Sequence, residues 1–87
     1  GVYAVNIFHN EYKYKGMLNI GYRPTINDNN GISIEVHLFD FSANLYKEEL
    51  KIEFISKVRK EKQFKNVNQL KEQLERDLIN CKKILKA

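Results

Sequence analysis

One stretch of this chain has a helical period, and it comes last. Val67, Leu70, Leu74, Leu78, Cys81 and Leu85 recur at spacings of 3, 4, 4, 3 and 4. That spacing draws an apolar stripe along one side of an α-helix. Lys71, Glu72, Glu75, Arg76, Lys82 and Lys83 fall on the wet side. Asn66 suits the cap position, and Gln69 three residues on completes a capping-box pattern. Lysines in the last turn complement the helix dipole. The pattern predicts a helix over about 67–85. Its stripe needs a surface to pack on, and the rest of the chain must supply it.

The segments before it have the period of strands. Residues 2–8, "VYAVNIF", are rich in β-formers. "HNE" reads as a tight hairpin turn, because Asn10 tolerates the positive φ such turns require. Residues 12–20 return as a second strand with Tyr12, Tyr14, Gly16, Leu18 and Ile20 on one side. A glycine there points to a bulge or a close backbone approach. Residues 32–39 alternate as a third strand with one buried face: Ile32, Ile34, Val36 and Leu38 point one way, and Ser33, Glu35, His37 and Phe39 the other. Residues 50–59 set Leu50, Ile52, Phe54 and Val58 against Lys51, Glu53, Lys57 and Arg59. Ile55 and Ser56 interrupt that alternation, so this strand twists or is covered on both sides. Between the strands lie a polar loop, "GYRPTINDNNG" at 21–31, and a connection, "DFSANLY" at 40–46. Consecutive strands with hairpin-like links predict an antiparallel sheet. With the helix laid on it, the fold is mainly β with one C-terminal helix, either α+β or a barrel plus a helix.

Eighty-seven residues make one small domain. The single cysteine, Cys81, excludes an internal disulfide and suits a reducing cytosol, so the chain reads as cytoplasmic. His9 and His37 stand apart and form no zinc-ligand spacing. No apolar run is long enough to span a bilayer. The opening "GVYAV" reads as a strand already under way, which predicts a piece of something longer. The net charge of +4 is spread out, with Lys13 and Lys15 in one strand and Lys57, Arg59, Lys60 and Lys62 crowded in another segment. Such an excess suits a phosphate-bearing small molecule or a nucleic acid and does not decide between them.

Two stretches have the makings of chemistry. Glu35 is a mid-strand carboxylate with His37 two residues on. It fits a general base, which needs reach to a hydroxyl and partial shelter. From the residues alone it fits a ladder residue paired to a cross-strand lysine better. "VRKEKQF" at 58–64 brings cations to a flat ring, as a phosphorylated aromatic ligand requires. It also fits a solvated linker whose Phe64 staples the helix start.

The order of segments decides more than any one of them. "GVYAV", "YKGMLNIGYRPT", "IEVHLFDF" and "LYKEELKIEFISKVRKEKQF", followed by a capped helix ending "CKKIL", resemble the riboflavin kinase family. The likeness is greatest to the C-terminal kinase domain of bacterial bifunctional FAD synthetases. The resemblance implies an antiparallel Greek-key barrel with a helix against it, here incomplete at its N-terminal side. It implies transfer of the ATP γ-phosphate to the ribityl 5′-hydroxyl of riboflavin, giving FMN, with Mg²⁺ as cofactor and an adenylyltransferase domain as N-terminal neighbour. By position it implies Glu35 as catalytic base, and Leu38, Asp40 and Tyr46 at the nucleotide site. It implies Arg59, Lys62 and Phe64 at the flavin site. Lys47 stands where the family has glycine after the tyrosine, and Lys60 where it has proline.

The family's metal-binding "PTAN" motif lies upstream of the "GVY" strand, and this chain starts at "GVY". "PTIN" at 24–27 looks similar, but its flanks match a different family segment. Thr25 and Asn27 are therefore not assigned as ligands, and no metal-binding residue is expected here. The chain by itself is then expected to be weakly active or inactive. The alternative is a small basic β-rich module that binds nucleic acid through Tyr12, Tyr14 and Tyr22 with Lys13, Lys15 and Arg23. On the kinase reading no nucleic-acid partner is expected.

Overall fold

The computed structural model describes residues 1–22, 32–39 and 49–87. Four strands and one helix follow in the order β1 (Val2–His9), β2 (Tyr12–Tyr22), β3 (Ile32–Leu38), β4 (Lys51–Arg59) and α1 (Val67–Leu85). The strands form one antiparallel sheet in the order β3-β2-β1-β4. Among the described residues the sheet is open, with β3 and β4 as its two edges.

The β1–β2 hairpin closes on the two residues between His9 and Tyr12, which pair directly. Asn10 takes the turn at φ 56, a left-handed conformation that asparagine tolerates better than most residues. The interruption at Ile55 and Ser56 has a local cause. Opposite β1 the register of β4 slips between Ala4 and Val5, and again between Val2 and Tyr3. Each slip inserts an extra residue on β4, which bends the strand and changes which side the following residues face.

Each face of the sheet carries its own cluster. Beneath the helix, Val2, Ala4 and Phe39 pack with Cys81 and Leu85, and Met17, Val58 and Leu78 fill in around them. On the opposite face Val5, Ile7 and Leu18 form a second cluster, flanked by Tyr3, Tyr14, Ile20 and Leu38. Burying side chains of this size stabilises the fold by roughly 1.5–3 kcal/mol each. Asn6, buried beneath the helix side, donates its Nδ2 to Glu53 Oε1 at 2.8 Å.

The third strand differs from expectation. Its isoleucine side is the exposed one, with Ile32 at 57% and Ile34 at 62% exposure. Its Glu35–His37–Phe39 side turns toward the helix, where Phe39 is buried. The helix has chosen the mixed side of β3 because that side is continuous with Val2, Ala4 and Met17 across the register. The helix also docks by only part of its stripe. Cys81 and Leu85 are buried, whereas Val67 and Leu70 remain exposed. Asn66 caps its start by accepting the Gln69 amide at 2.9 Å. Lys86 ends it in the left-handed conformation.

Gly16 is a close approach. A Cβ there would sit 2.5 Å from the His37 carbonyl oxygen and 2.6 Å from Ile7 Cδ1. Gly16→Ala is expected to cost about 1–3 kcal/mol in urea unfolding, because backbone must move. Gly21→Ala is expected to stay within about 0.5 kcal/mol, since its added carbon meets only the Glu61 side chain, at 3.4 Å. Burial, and then the nearby Asp77 carboxylate, push the Cys81 thiol up from its ordinary 9.0 to about 11. A raised thiol pKa contributes stability that is fully present below 9.0 and is lost as pH rises toward 11. Urea midpoints taken across that window should fall more steeply for the native protein than for Cys81→Ala.

Candidate functional site

Because α1 touches the sheet mainly through its second half, its first half stands away from β2 and β3. The space between is a groove of about 550 Å³. Met17, Leu70, Leu74 and Leu78 give it apolar walls, and Asn19, Glu35 and His37 line it from the strands. The register explains the placing: Met17 pairs with His37, and Asn19 with Glu35, on adjacent strands. Adjoining the groove is a smaller polar notch of about 120 Å³. Ser33, Glu61 and Lys62 line it together with Arg59 and Phe64. Notch and groove share Asn19, Glu35 and Leu70 and so form one depression with Glu35 at the junction.

An ion pair between β4 and the helix braces the wall of the notch. Arg59 ends β4, and its Nε donates to both carboxylate oxygens of Asp77 at 2.9 and 2.8 Å. Its Nη2 lies 2.8 Å from Asp77 Oδ2. Asp77, on the helix, is 1% exposed and also accepts from Gln73 Nε2 at 2.9 Å. The remaining end of the guanidinium, Nη1, donates to the Lys60 carbonyl at 3.1 Å. Phe64 sits against the same guanidinium, 5.7 Å from centroid to Cζ, with Lys62 Nζ at 5.6 Å. Such distances fall in the cation–π range.

Four residues singled out from the sequence, Glu35, Arg59, Lys62 and Phe64, meet in the notch. Leu38 does not. It is half-buried on the opposite face of the sheet, against the Val5–Ile7–Leu18 cluster. Strand alternation puts it there, because Glu35 and Leu38 are an odd number of residues apart. Asp40 and Tyr46 lie outside the described residues, as do Thr25 and Asn27. The nucleic-acid alternative divides across β2. Tyr12 and Tyr14, with rings 6.4 Å apart, share the side of Leu18. Lys13 and Lys15 alternate onto the helix side, where Lys13 lies over Phe8 and Lys15 reaches the Lys86 carbonyl.

Asp77 and Glu61 escaped the sequence reading. Asp77 is charged and flanks the stripe, yet it follows Leu74 by three and precedes Cys81 by four. That spacing puts it on the packed side and was the available signal. Glu61 sits on a connector with no periodicity to place it.

Comparison with known proteins identifies the group. The chain belongs to the riboflavin kinase family: the model of that family, described as Flavokinase, riboflavin kinase, matches residues 1–85. It is 43% identical over 79 residues to the bifunctional riboflavin kinase/FMN adenylyltransferase of Bacillus subtilis, a match that covers 88% of this chain and 25% of that protein. It is 42% identical over 83 residues to the protein of the same name from Haemophilus influenzae, covering 94% of this chain and 27% of that one. To the RNA-binding riboflavin kinase RibR of Bacillus subtilis it is 35% identical over 81 residues, covering 93% and 35%. A solved structure described as a macrolide-efflux protein from Streptococcus pneumoniae superposes with a TM-score of 0.72 at 32% identity, covering 88% of this chain and 25% of that chain. The chain spans about a quarter of the length of the bifunctional relatives.

Removing one partner of a buried ion pair leaves the other charge without compensation. Asp77→Ala is therefore expected to lower the unfolding free energy by about 3–5 kcal/mol in chemical denaturation. An exposed acid such as Glu72 replaced by alanine should change it by less than about 0.5 kcal/mol.

Proposed function

We propose that this chain forms the flavin-binding and proton-accepting part of a riboflavin kinase, within a protein that also carries an FMN adenylyltransferase domain. The observation that carries this reading is the position of Glu35 at the junction of a polar notch and an apolar groove. Riboflavin has the matching parts: a flat ring system with an apolar dimethylbenzene end and a polar pyrimidinedione end, and a polyol chain ending in a primary hydroxyl. The groove suits the ring, and Asn19, Ser33 and Glu61 suit the hydroxyls. The polyol then runs along Asn19, Glu35 and Ser33, and the Glu35 carboxylate, which lines both parts of the depression, serves as base for the terminal hydroxyl. As that oxygen attacks the γ-phosphorus of ATP, its proton passes to the Glu35 carboxylate. The bond to the β-phosphate oxygen breaks, and ADP leaves with the electron pair.

Family membership favours ATP as the donor and Mg²⁺ as its companion. Among the described residues no three His, Cys, Asp or Glu side chains converge to hold a metal ion. None of the described residues is assigned to hold Mg²⁺. Leu38, Asp40 and Tyr46 are proposed at the nucleotide side by likeness to the family alone. No helix among the described residues is long and apolar enough to cross a membrane. A cytoplasmic location is proposed by analogy with the bacterial relatives.

Glu35→Gln tests the role of the base. In the protein that carries this chain, kcat for FMN formation is expected to fall by about 10²–10⁴-fold. The dissociation constant for riboflavin, read by flavin fluorescence, is expected to change by less than about threefold. Equal losses in both would reduce Glu35 to a structural residue.

A further inference from the structure

We infer that Asp77, steadied by Gln73, is a positioning residue for the flavin site. It acts through Arg59 on the connector that forms one wall of the notch. The inference rests on the reading of the notch and groove as the riboflavin site.

Three of the side chains that line the notch, Glu61, Lys62 and Phe64, come from residues 60–65. That connector has no regular secondary structure, so no ladder of backbone hydrogen bonds holds it. Arg59 grips it at two points, the Lys60 carbonyl and the Phe64 ring. A guanidinium on a flexible stem does not fix its own direction. Asp77 fixes it here, because two carboxylate oxygens facing Nε and Nη2 define the plane of the fork. Gln73 holds the carboxylate in turn, and both residues sit on a rigid helix. The chain of contacts therefore runs from the helix through Asp77 and Arg59 to Phe64 and the notch.

Three of the five N–H groups of Arg59 are already engaged by Asp77 and Lys60. Its main part in the site is to place Phe64 and the Lys60 carbonyl, with Asp77 setting the angle. A displaced wall weakens the grip on riboflavin while leaving Glu35 in place on β3. The effect should appear as binding lost equally from ground state and transition state, which raises KM and spares kcat.

The test uses the protein that carries this chain, with riboflavin and ATP as substrates and a thermal melt by circular dichroism to confirm folding of each variant. Asp77→Asn keeps the shape and removes the charge. It is expected to raise the riboflavin KM about tenfold, with kcat and the ATP KM within about twofold of the native values. The decisive measurement is a cycle with Phe64→Leu. Because part of the action of Asp77 runs through Phe64 and the rest through the Lys60 carbonyl, Asp77→Asn should raise the riboflavin KM by only about threefold once Phe64 is replaced. Gln73→Ala is the milder variant, serving if Asp77→Asn does not fold. It should raise the riboflavin KM about threefold, and by less once Phe64 is replaced. An unchanged KM in a folded variant overturns the inference, and so does an effect that persists fully without Phe64. A fall in kcat matching the loss of folded protein assigns Asp77 a purely structural role, which also overturns it. If the native protein phosphorylates riboflavin, any of these results removes the inference and leaves the kinase reading standing. A native protein that neither binds nor phosphorylates riboflavin removes the kinase reading itself.

Discussion

The ion pair between Arg59 and Asp77 ties together the three parts of this molecule that would otherwise be independent. Arg59 is the last residue of an edge strand, Asp77 lies in the middle of the helix, and the connector between them carries the notch. Two charges removed from water are costly unless their hydrogen-bonding capacity is met. Here the carboxylate accepts from Nε, Nη2 and Gln73, and the guanidinium still reaches a backbone carbonyl. The pair is thus more telling as a geometric device than as a source of stability. It sets where the helix crosses the sheet and how far its first half stands off.

That stand-off creates the site. A helix docked along its whole stripe would press Leu70 and Leu74 onto Met17 and His37 and fill the groove. Instead the tight contacts are made by Cys81 and Leu85 against Val2, Ala4 and Phe39. Leu70 stays exposed over the depression. Apolar walls with Glu35 at one end are left open to a ligand. The exposure of Leu70 is a stability cost located where binding would recover it.

The opposite face shows the same economy. Val5, Ile7 and Leu18 are buried there by their neighbours. Ile32, Ile34 and Phe54, toward the two edges, keep more than half of their surface exposed. The open sheet accounts for this, because among the described residues only the helix side has a second layer. The resemblance implied an antiparallel barrel incomplete at its N-terminal side, and the described strands form an open antiparallel sheet with one C-terminal helix.

The sequence by itself determined the elements and their kinds, because those depend on period. The 3.6-residue stripe from Val67 to Leu85, the Asn66 cap, the Asn10 turn and the alternation on each side of Gly16 are local properties, written in neighbouring residues. The interruption at Ile55 was also legible, although only pairing with β1 showed it to be a register slip, with a second at Val58. Glu35 and the cation-and-ring stretch at 58–64 were legible as candidates from the residues, and the family resemblance implied the roles of Glu35, Arg59, Lys62 and Phe64. Tertiary structure alone decided which face of β3 the helix covers, and so which of its alternating residues are exposed. It alone put Leu38 on the far side from Glu35 and joined Asp77 to Arg59 across 18 positions of chain. These outcomes turn on the position at which a helix settles on a sheet. That position depends on contacts between residues distant in sequence, and no local period records it.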